Sequence, residues 1–78
     1  MRSEFKRGDV IIRIDGNIKY VVVGFYLSFM WYRLLLWMDG KWHRSEMRIS
    51  EVDKWYVKID TMGEDELREI HEIGIQKR

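Results

Sequence analysis

Cysteine and proline are both absent from this chain, and each absence excludes a class of structure. Without cysteine there can be no disulfide framework, no thiolate nucleophile and no cysteine-based zinc site, so packing alone must hold the fold together. Without proline, the boundaries between elements have to be marked by glycine and by Asx-Gly pairs. The cysteine usage favours a reducing, cytoplasmic setting.

An excess of charge of either sign is lacking as well. The 14 Lys and Arg side chains are nearly balanced by 13 Asp and Glu, which leaves a formal net charge of +1. No overall field therefore draws the protein onto nucleic acid or an anionic membrane, and any basic partner surface must be local. Residues 1–5 contain no apolar signal-peptide core, so we expect no export by that route.

The chain is also short, and its 78 residues leave room for one domain with a modest core and no deep substrate cavity. What the sequence does have is aromatic side chains: four Trp, four Tyr and three Phe. Their apolar area can stabilise a small domain that has no disulfides. We expect residues 1–60 to form a β domain and residues 61–78 to form an amphipathic helix and a tail.

Alternation and β-branched residues predict five strands. The predicted strands are residues 9–14, 18–26, 31–38, 41–47 and 55–59. Asp15-Gly16-Asn17 predicts a tight hairpin turn after the first strand, and Asp39-Gly40 predicts another after the third. Residues 49–53 have the length and polarity of a single 3₁₀ turn. In the last strand, Trp55, Val57 and Ile59 share one face.

From Thr61 onward the pattern changes to that of a helix. Thr61 and Glu64 have the spacing of a capping box, and Leu67, Ile70 and Ile73 share one helical face. Glu64 can pair with Arg68, and Gly74 is expected to end the helix. A helix of roughly ten residues is marginal alone in water, so it must dock on the strands or fray until a partner arrives.

The order of these features resembles that of small SH3-like barrel proteins of phages, prophages and low-GC bacteria. The resemblance covers residues 6–59 and depends on Arg7-Gly8-Asp9-Val10-Ile11, on Tyr20-x-Val22-x-Gly24, and on the turn at 49–53 before Trp55-Tyr56-Val57-Lys58-Ile59. It implies a mainly β, five-stranded, half-open SH3-like barrel with a short C-terminal helix, acting as a binding module. The chain has no Ala-Leu-Tyr-Asp-Tyr type motif, so binding of proline-rich peptides is not implied.

Residues 20–38 form a long hydrophobic stretch with Arg33 as its only charge, which makes a transmembrane segment one interpretation. The β-branched run and the flanking Asx-Gly turns favour two strands instead. Both faces of that hairpin are apolar, with Tyr20, Val22, Leu34 and Leu36 on one side and Val21, Val23, Phe25, Leu35 and Trp37 on the other. Either the C-terminal helix covers the second face, or a homodimer or target protein does.

Two surfaces are candidates for binding. The connector at residues 25–31 is almost wholly large and apolar, which is unusual for a segment in water and typical of interfaces. The predicted partner-binding residues are Phe25, Tyr26, Phe29, Met30, Trp31 and Trp37. Basic and aromatic residues also alternate, as they do on platforms for single-stranded nucleic acid. The residues of that alternative site are Arg33, Lys41, Trp42, Arg44, Arg48 and Lys54.

No pattern in the sequence indicates catalysis. His43 and His71 are the only imidazoles and neither has metal-ligand spacing to a second ligand, while no serine has a nucleophile context and no phosphate loop is present. We therefore expect no enzyme activity, no metal, no cofactor and no small-molecule substrate.

The sequence favours a soluble, cytoplasmic protein-interaction module, of the kind by which a phage or prophage accessory protein binds and modulates a host protein. A homodimer is one form of that interaction. The alternatives are a nucleic-acid-binding barrel and, third, a small membrane-associated protein.

Overall fold

A computed structural model describes the backbone of residues 4–26 and 30–76 and the side chains of residues 4–26 and 30–70. It is mainly β, with five strands and two helices. In chain order these are β1 (Asp9–Arg13), β2 (Lys19–Tyr26), β3 (Trp31–Met38), β4 (Lys41–Arg48), α1 (Ile49–Trp55), β5 (Tyr56–Thr61) and α2 (Glu64–Gln76).

All five strands belong to one antiparallel sheet, in the order β4-β3-β2-β1-β5. The two outer strands, β4 and β5, do not pair with each other, so the sheet is open and the expected barrel closure is not seen among the described strands. The prediction of a mainly β domain with five strands is confirmed. The difference from a barrel is that two strand edges are left free.

The second Asx-Gly turn has the predicted form and the first does not. Asp39 and Gly40 take φ of 57° and 76° between the paired residues Met38 and Lys41, which makes a two-residue hairpin loop. The connection from β1 to β2 is longer, since Ile12 pairs with Lys19 and residues 14–18 lie outside both strands. A tight turn does follow β1, but it spans residues 13–16, where the Gly16 N–H donates to the Arg13 carbonyl at 3.0 Å. The predicted turn is therefore confirmed two residues earlier than expected, and it does not by itself close the hairpin.

Both helices differ from the prediction at their ends. Residues 49–53 belong to an α-helix that continues to Trp55, so the last strand begins one residue later than expected. Thr61 is not a helix cap, because it pairs with Asp9 as the last residue of β5. The first backbone bond of α2 runs instead from the Leu67 N–H to the Gly63 carbonyl, and the helix continues past Gly74.

The first face of the sheet, defined as the face that packs on α1, holds one half of the core. Its buried side chains are Phe5, Ile11, Val22, Tyr32, Leu34, Ile49 and Val52. The fully buried Tyr32 hydroxyl donates to Asp53 Oδ1 at 2.6 Å and accepts the Phe5 N–H at 3.1 Å. This pair of bonds joins the N-terminal segment, β3 and α1, so the first face is closed by apolar burial and by buried polar contacts together.

The second face packs on α2 and holds the other half of the core. Its buried side chains are Val10, Val21, Val23, Leu35, Leu67 and Ile70. The expectation that the C-terminal helix covers the second apolar face is therefore confirmed for Leu67 and Ile70. The side chain of Ile73, expected on the same helical face, lies outside the described residues.

The hydrophobic stretch at residues 20–38 is divided between β2 and β3. Among the residues that the structure describes, no helix has the length and apolar character needed to cross a membrane.

Candidate functional site

Helix α2 crosses the second face obliquely and leaves part of it uncovered. At its start Leu67 lies near Gly8, where an added Cβ would lie 3.6 Å from Leu67 Cδ1 and 3.0 Å from the Met62 carbonyl oxygen. Gly8 also has a φ of 100°, so this close approach requires glycine. Further along, Ile70 belongs to the cluster that packs on Trp42 of β4. The helix thus passes from the start of β1 toward β4, and two opposite corners of the face stay open.

The first open corner lies where the last residues of β2 and β4 meet the first residues of β3. A bulge in β2 decides which side chains lie there. Val22 pairs with Leu34, but Gly24 pairs with Arg33, so β2 has one extra residue at this point. The bulge shifts the alternation of β2 by one residue. Phe25 therefore packs against the first-face core, and the prediction that it lies on the second face was wrong.

The same shift brings aromatic and arginine side chains together on the second face. The Arg33 Cδ lies beside Gly24, and the Arg33 guanidinium lies 5.2 Å from the centre of the Tyr26 ring. The guanidinium of Arg48, which pairs with Trp31 across β3 and β4, lies 4.8 Å from the Trp31 ring centre. Both distances are within the range of cation–π contacts, so each arginine orders an aromatic neighbour.

Trp37 and Trp42 extend this surface along β3 and β4. They are a cross-strand pair whose rings meet edge to face, with centroids 5.3 Å apart. Trp42 packs against the second-face core, whereas Trp37 leaves 55% of its surface in solvent. Arg44 pairs with Leu35, the next cross-strand pair on this face, and is exposed. We call Tyr26, Trp31, Arg33, Trp37, Trp42, Arg44 and Arg48 the aromatic–arginine surface.

A groove of about 520 Å³ lies within this surface. Among the described residues it is lined by Val23, Arg33, Leu34, Leu35, Arg44, Ser45 and Glu46. Its floor is apolar, and its walls carry two arginines and one glutamate. A cleft of this size has the volume of a small ligand pocket or of a few side chains of a partner.

The two predicted sites are therefore not separate, since each contributes residues to one surface. Tyr26, Trp31 and Trp37 come from the predicted protein-binding set. Arg33, Trp42, Arg44 and Arg48 come from the predicted nucleic-acid-binding set. This arrangement could not be predicted from the sequence, because the register between β2 and β3, including the bulge, decides which side chains share a face.

The remaining predicted residues lie elsewhere. Lys54 is on α1, with its ammonium 5.4 Å from the Trp55 ring, and is remote from the surface. Lys41 begins β4 opposite Met38, on the alternate side from Trp42. Met30 is exposed in the turn before β3, and the predicted contact Phe29 lies outside the described residues.

The second open corner, at the lower ends of β1 and β5, was not predicted as a site. Ile12 and Val57 pair directly and so share a face. Ile14 follows β1, and Ile59 is the extra residue of a bulge in β5, since Val10 pairs with Asp60 and Ile11 with Lys58. Ile14 is 64%, Val57 44% and Ile59 46% exposed. The alternation of Ile12 with Ile14 and of Val57 with Ile59 was visible in the sequence, but the pairing of β1 with β5 was needed to join them. We call these four residues the aliphatic surface.

The aromatic–arginine surface and the first turn of α2 carry opposite charges. The aromatic–arginine surface has three arginines against Glu46, whereas the first turn of the adjoining α2 carries Glu64, Asp65 and Glu66. Glu64 forms an ion pair with Arg7 at 3.0 Å, and the hydrogen bond from Arg7 lowers the pKa of Glu64 below its ordinary value. Arg7 also donates to the Val23 carbonyl, so the pair fixes the start of α2 to β2.

Groups with other chemistry are few among the described side chains. No cluster of three or more potential metal ligands occurs there. The His43 Nε2 lies 3.0 Å from the Met38 carbonyl oxygen, across the Asp39-Gly40 turn. Comparison with protein-family models, with curated proteins and with solved structures finds no match for this chain.

Proposed function

We propose that this protein is a small non-catalytic protein-interaction module that docks its partner on the aromatic–arginine surface. The observation that carries the proposal is the gathering of three tryptophans, one tyrosine and three arginines on one sheet face, where the tyrosine, Trp37 and the three arginines are exposed. Tyr, Trp and Arg are the residues that dominate binding energy at protein interfaces. The groove beside them offers an apolar floor for a partner side chain.

The charges favour a protein partner whose contacting segment is apolar with some acidic side chains. Arg33, Arg44 and Arg48 attract carboxylates, and the groove floor of Val23 and Leu35 accepts apolar groups. The acidic first turn of α2 on the same face repels a continuous run of phosphates. Two of the arginines already cover the Tyr26 and Trp31 rings, which leaves those rings less open for stacking with bases.

The resemblance to small SH3-like proteins of phages and prophages extends the proposal. It suggests an accessory protein that acts in the cytoplasm by binding and modulating a host protein. The chain order supports the SH3-like description: four consecutive antiparallel strands, a short helix, and a fifth strand that returns to pair with β1.

A nucleic-acid-binding module is the second candidate, because three arginines interleave with aromatic residues on one sheet face. Salt distinguishes the two. Binding through phosphates weakens steeply as the ionic strength rises, whereas an aromatic and apolar interface changes little.

The test is a capture experiment from a host lysate with the double variant Tyr26→Ser, Trp37→Ser. Both side chains are exposed, so we expect the melting temperature to stay near that of the wild type while partner capture is lost. Trp55→Ser is the matched control, since Trp55 is similarly exposed but lies outside the surface. Full capture by the double variant would exclude the surface. Loss of capture in high salt, together with binding of single-stranded oligonucleotides, would favour the nucleic-acid candidate.

A further inference from the structure

The aliphatic surface adjoins an unpaired strand edge. β5 is the last strand of the sheet, so its outer N–H and C=O groups have no strand partner among the described residues. Beside this edge, Ile14, Val57 and Ile59 each leave a large part of the side chain in solvent. An apolar surface next to an open edge is the arrangement that recruits another strand.

Natural proteins protect such an edge with a bulge or with an outward lysine. β5 has a bulge at Ile59, so the regular part of its edge is residues 56–58, and the lysine of that part is engaged elsewhere. Lys58 Nζ lies 3.3 Å from Oδ1 of the buried Asp9, an oxygen that accepts no hydrogen bond among the described residues. Asp60, the other charge on β5, accepts the N–H of its neighbour Thr61 at 2.7 Å. The two charges of β5 also cancel, so the edge carries little repulsion of its own.

The opposite edge of the sheet shows the contrast. β4 carries Lys41, Arg44 and Arg48 against Glu46, so two β4 edges brought together would place like charges close to one another. Two β5 edges would not. The charge pattern therefore permits self-association at one edge of the sheet and opposes it at the other.

We infer that β5 and the aliphatic surface bind a second copy of this chain. The two β5 strands pair antiparallel across a two-fold axis, so that each edge supplies the hydrogen-bonding groups that the other lacks. The same axis places the two aliphatic surfaces side by side on one face of the joined sheet, where their apolar side chains contact each other and lose part of their exposure to water. This interface is separate from the end of the docking surface that holds Tyr26, Trp31 and Arg48, whereas Trp37 lies at the same end of the sheet as Ile12 and Val57.

Sedimentation equilibrium over a wide range of concentration tests the inference. We expect the wild-type mass to rise toward twice the 9.6 kDa of one chain. The variant Val57→Lys, Ile59→Lys should dimerise at least about ten-fold more weakly, because each strand then brings buried positive charge to the interface. Tyr26→Lys, an equally exposed change at the other end of the sheet, should leave the dimer intact.

A second measurement uses the absence of cysteine from the chain. Single variants Val57→Cys and Ile59→Cys place one thiol on the β5 edge, and Ser45→Cys places one on the β4 edge without changing its charge. Mild oxidation should link two copies through Cys at 57 or 59 but not at 45, with thiol titration of the native proteins confirming that each thiol is accessible. A wild-type protein that stays monomeric throughout, a dimer broken by Tyr26→Lys, or equal cross-linking at 45 would each overturn the inference.

Discussion

The two faces of the sheet are built from the same strands but closed in different ways. On the first face, the N-terminal segment and α1 cover the core, and the buried Tyr32 hydroxyl joins them through Phe5 and Asp53. On the second face, α2 covers a diagonal band, and the contact that fixes its start is the exposed pair of Arg7 and Glu64. A complete cover therefore serves stability, whereas an incomplete cover leaves surface for binding.

Neighbouring leucines on β3 offer the sharpest test of this comparison. Leu34 is buried in the first-face core and Leu35 in the second-face core. Because both are almost wholly buried, each change to Ala should lower the free energy of unfolding by about 2–5 kcal/mol. Denaturant unfolding of the two variants measures this directly.

Double variants with Leu67 of α2 should show which of the two leucines packs under the helix. Leu67 of α2 belongs to the Leu35 cluster, so Leu35→Ala and Leu67→Ala together should deviate from additivity by about 0.5–3 kcal/mol. Leu34→Ala and Leu67→Ala share no cluster and should be additive. Additivity of both pairs would mean that α2 does not dock on Leu35.

Removal of the buried Tyr32 hydroxyl should have the next largest effect on the free energy of unfolding. Tyr32→Phe removes the acceptor of the Phe5 N–H and the donor to Asp53, so we expect a loss of about 1–3 kcal/mol of unfolding free energy. Tyr56→Phe is the control, because the Tyr56 side chain is only partly buried and, among the described residues, its hydroxyl contacts side chains alone, Met47 Sδ at 3.5 Å and Tyr20, and no backbone N–H. If both variants lose the same free energy of unfolding, the hydrogen bonds of Tyr32 do not contribute specially to the closure of the first face.

The smallest effect is a pH dependence confined to the second face. Arg7 lowers the pKa of Glu64 below its ordinary value of 4.5, so the pair stabilises the folded state above pH 4.5. That stabilisation is lost as the pH falls through the lowered pKa. We therefore expect Leu67 and Ile70 to lose protection from hydrogen exchange in acid before Val52 does.

The variant Glu64→Gln should reduce this difference between the faces, since it removes the titrating group. Asp65→Asn, the adjacent change in the first turn of α2, is the matched control. An identical acid response in the wild type and in Glu64→Gln would show that the ion pair does not hold the helix. Added salt should shrink the effect, because the pair is exposed.

Some features could be predicted because they depend on neighbours in the chain. The Asp39-Gly40 turn needs two residues that tolerate positive φ, and that requirement is visible in two letters of sequence. Thr61 shows the opposite case. Its spacing to Glu64 is that of a capping box, but pairing with Asp9 places it in β5, because ladder hydrogen bonds outweigh a local capping preference.

The candidate site was predicted in its residue types and missed in its arrangement. Tyr26, Trp31, Arg33 and Arg48 were each identified, but in two separate sets. They form one surface because the extra residue at Val23–Gly24 turns Phe25 inward and Tyr26 toward Arg33. A bulge is defined by the pairing of two strands, so it cannot be recognised from the sequence of one strand alone.

By itself, the sequence determined the number of strands, their approximate limits, one tight turn and the need for a helix over the second apolar face. These follow from local backbone preferences and from the period of apolar residues. Tertiary structure alone decided that the sheet stays open, that β1 pairs with β5, and that α2 crosses obliquely and leaves two corners bare. Those outcomes depend on contacts between residues far apart in the chain, where packing and register, rather than local preference, select which side chains meet.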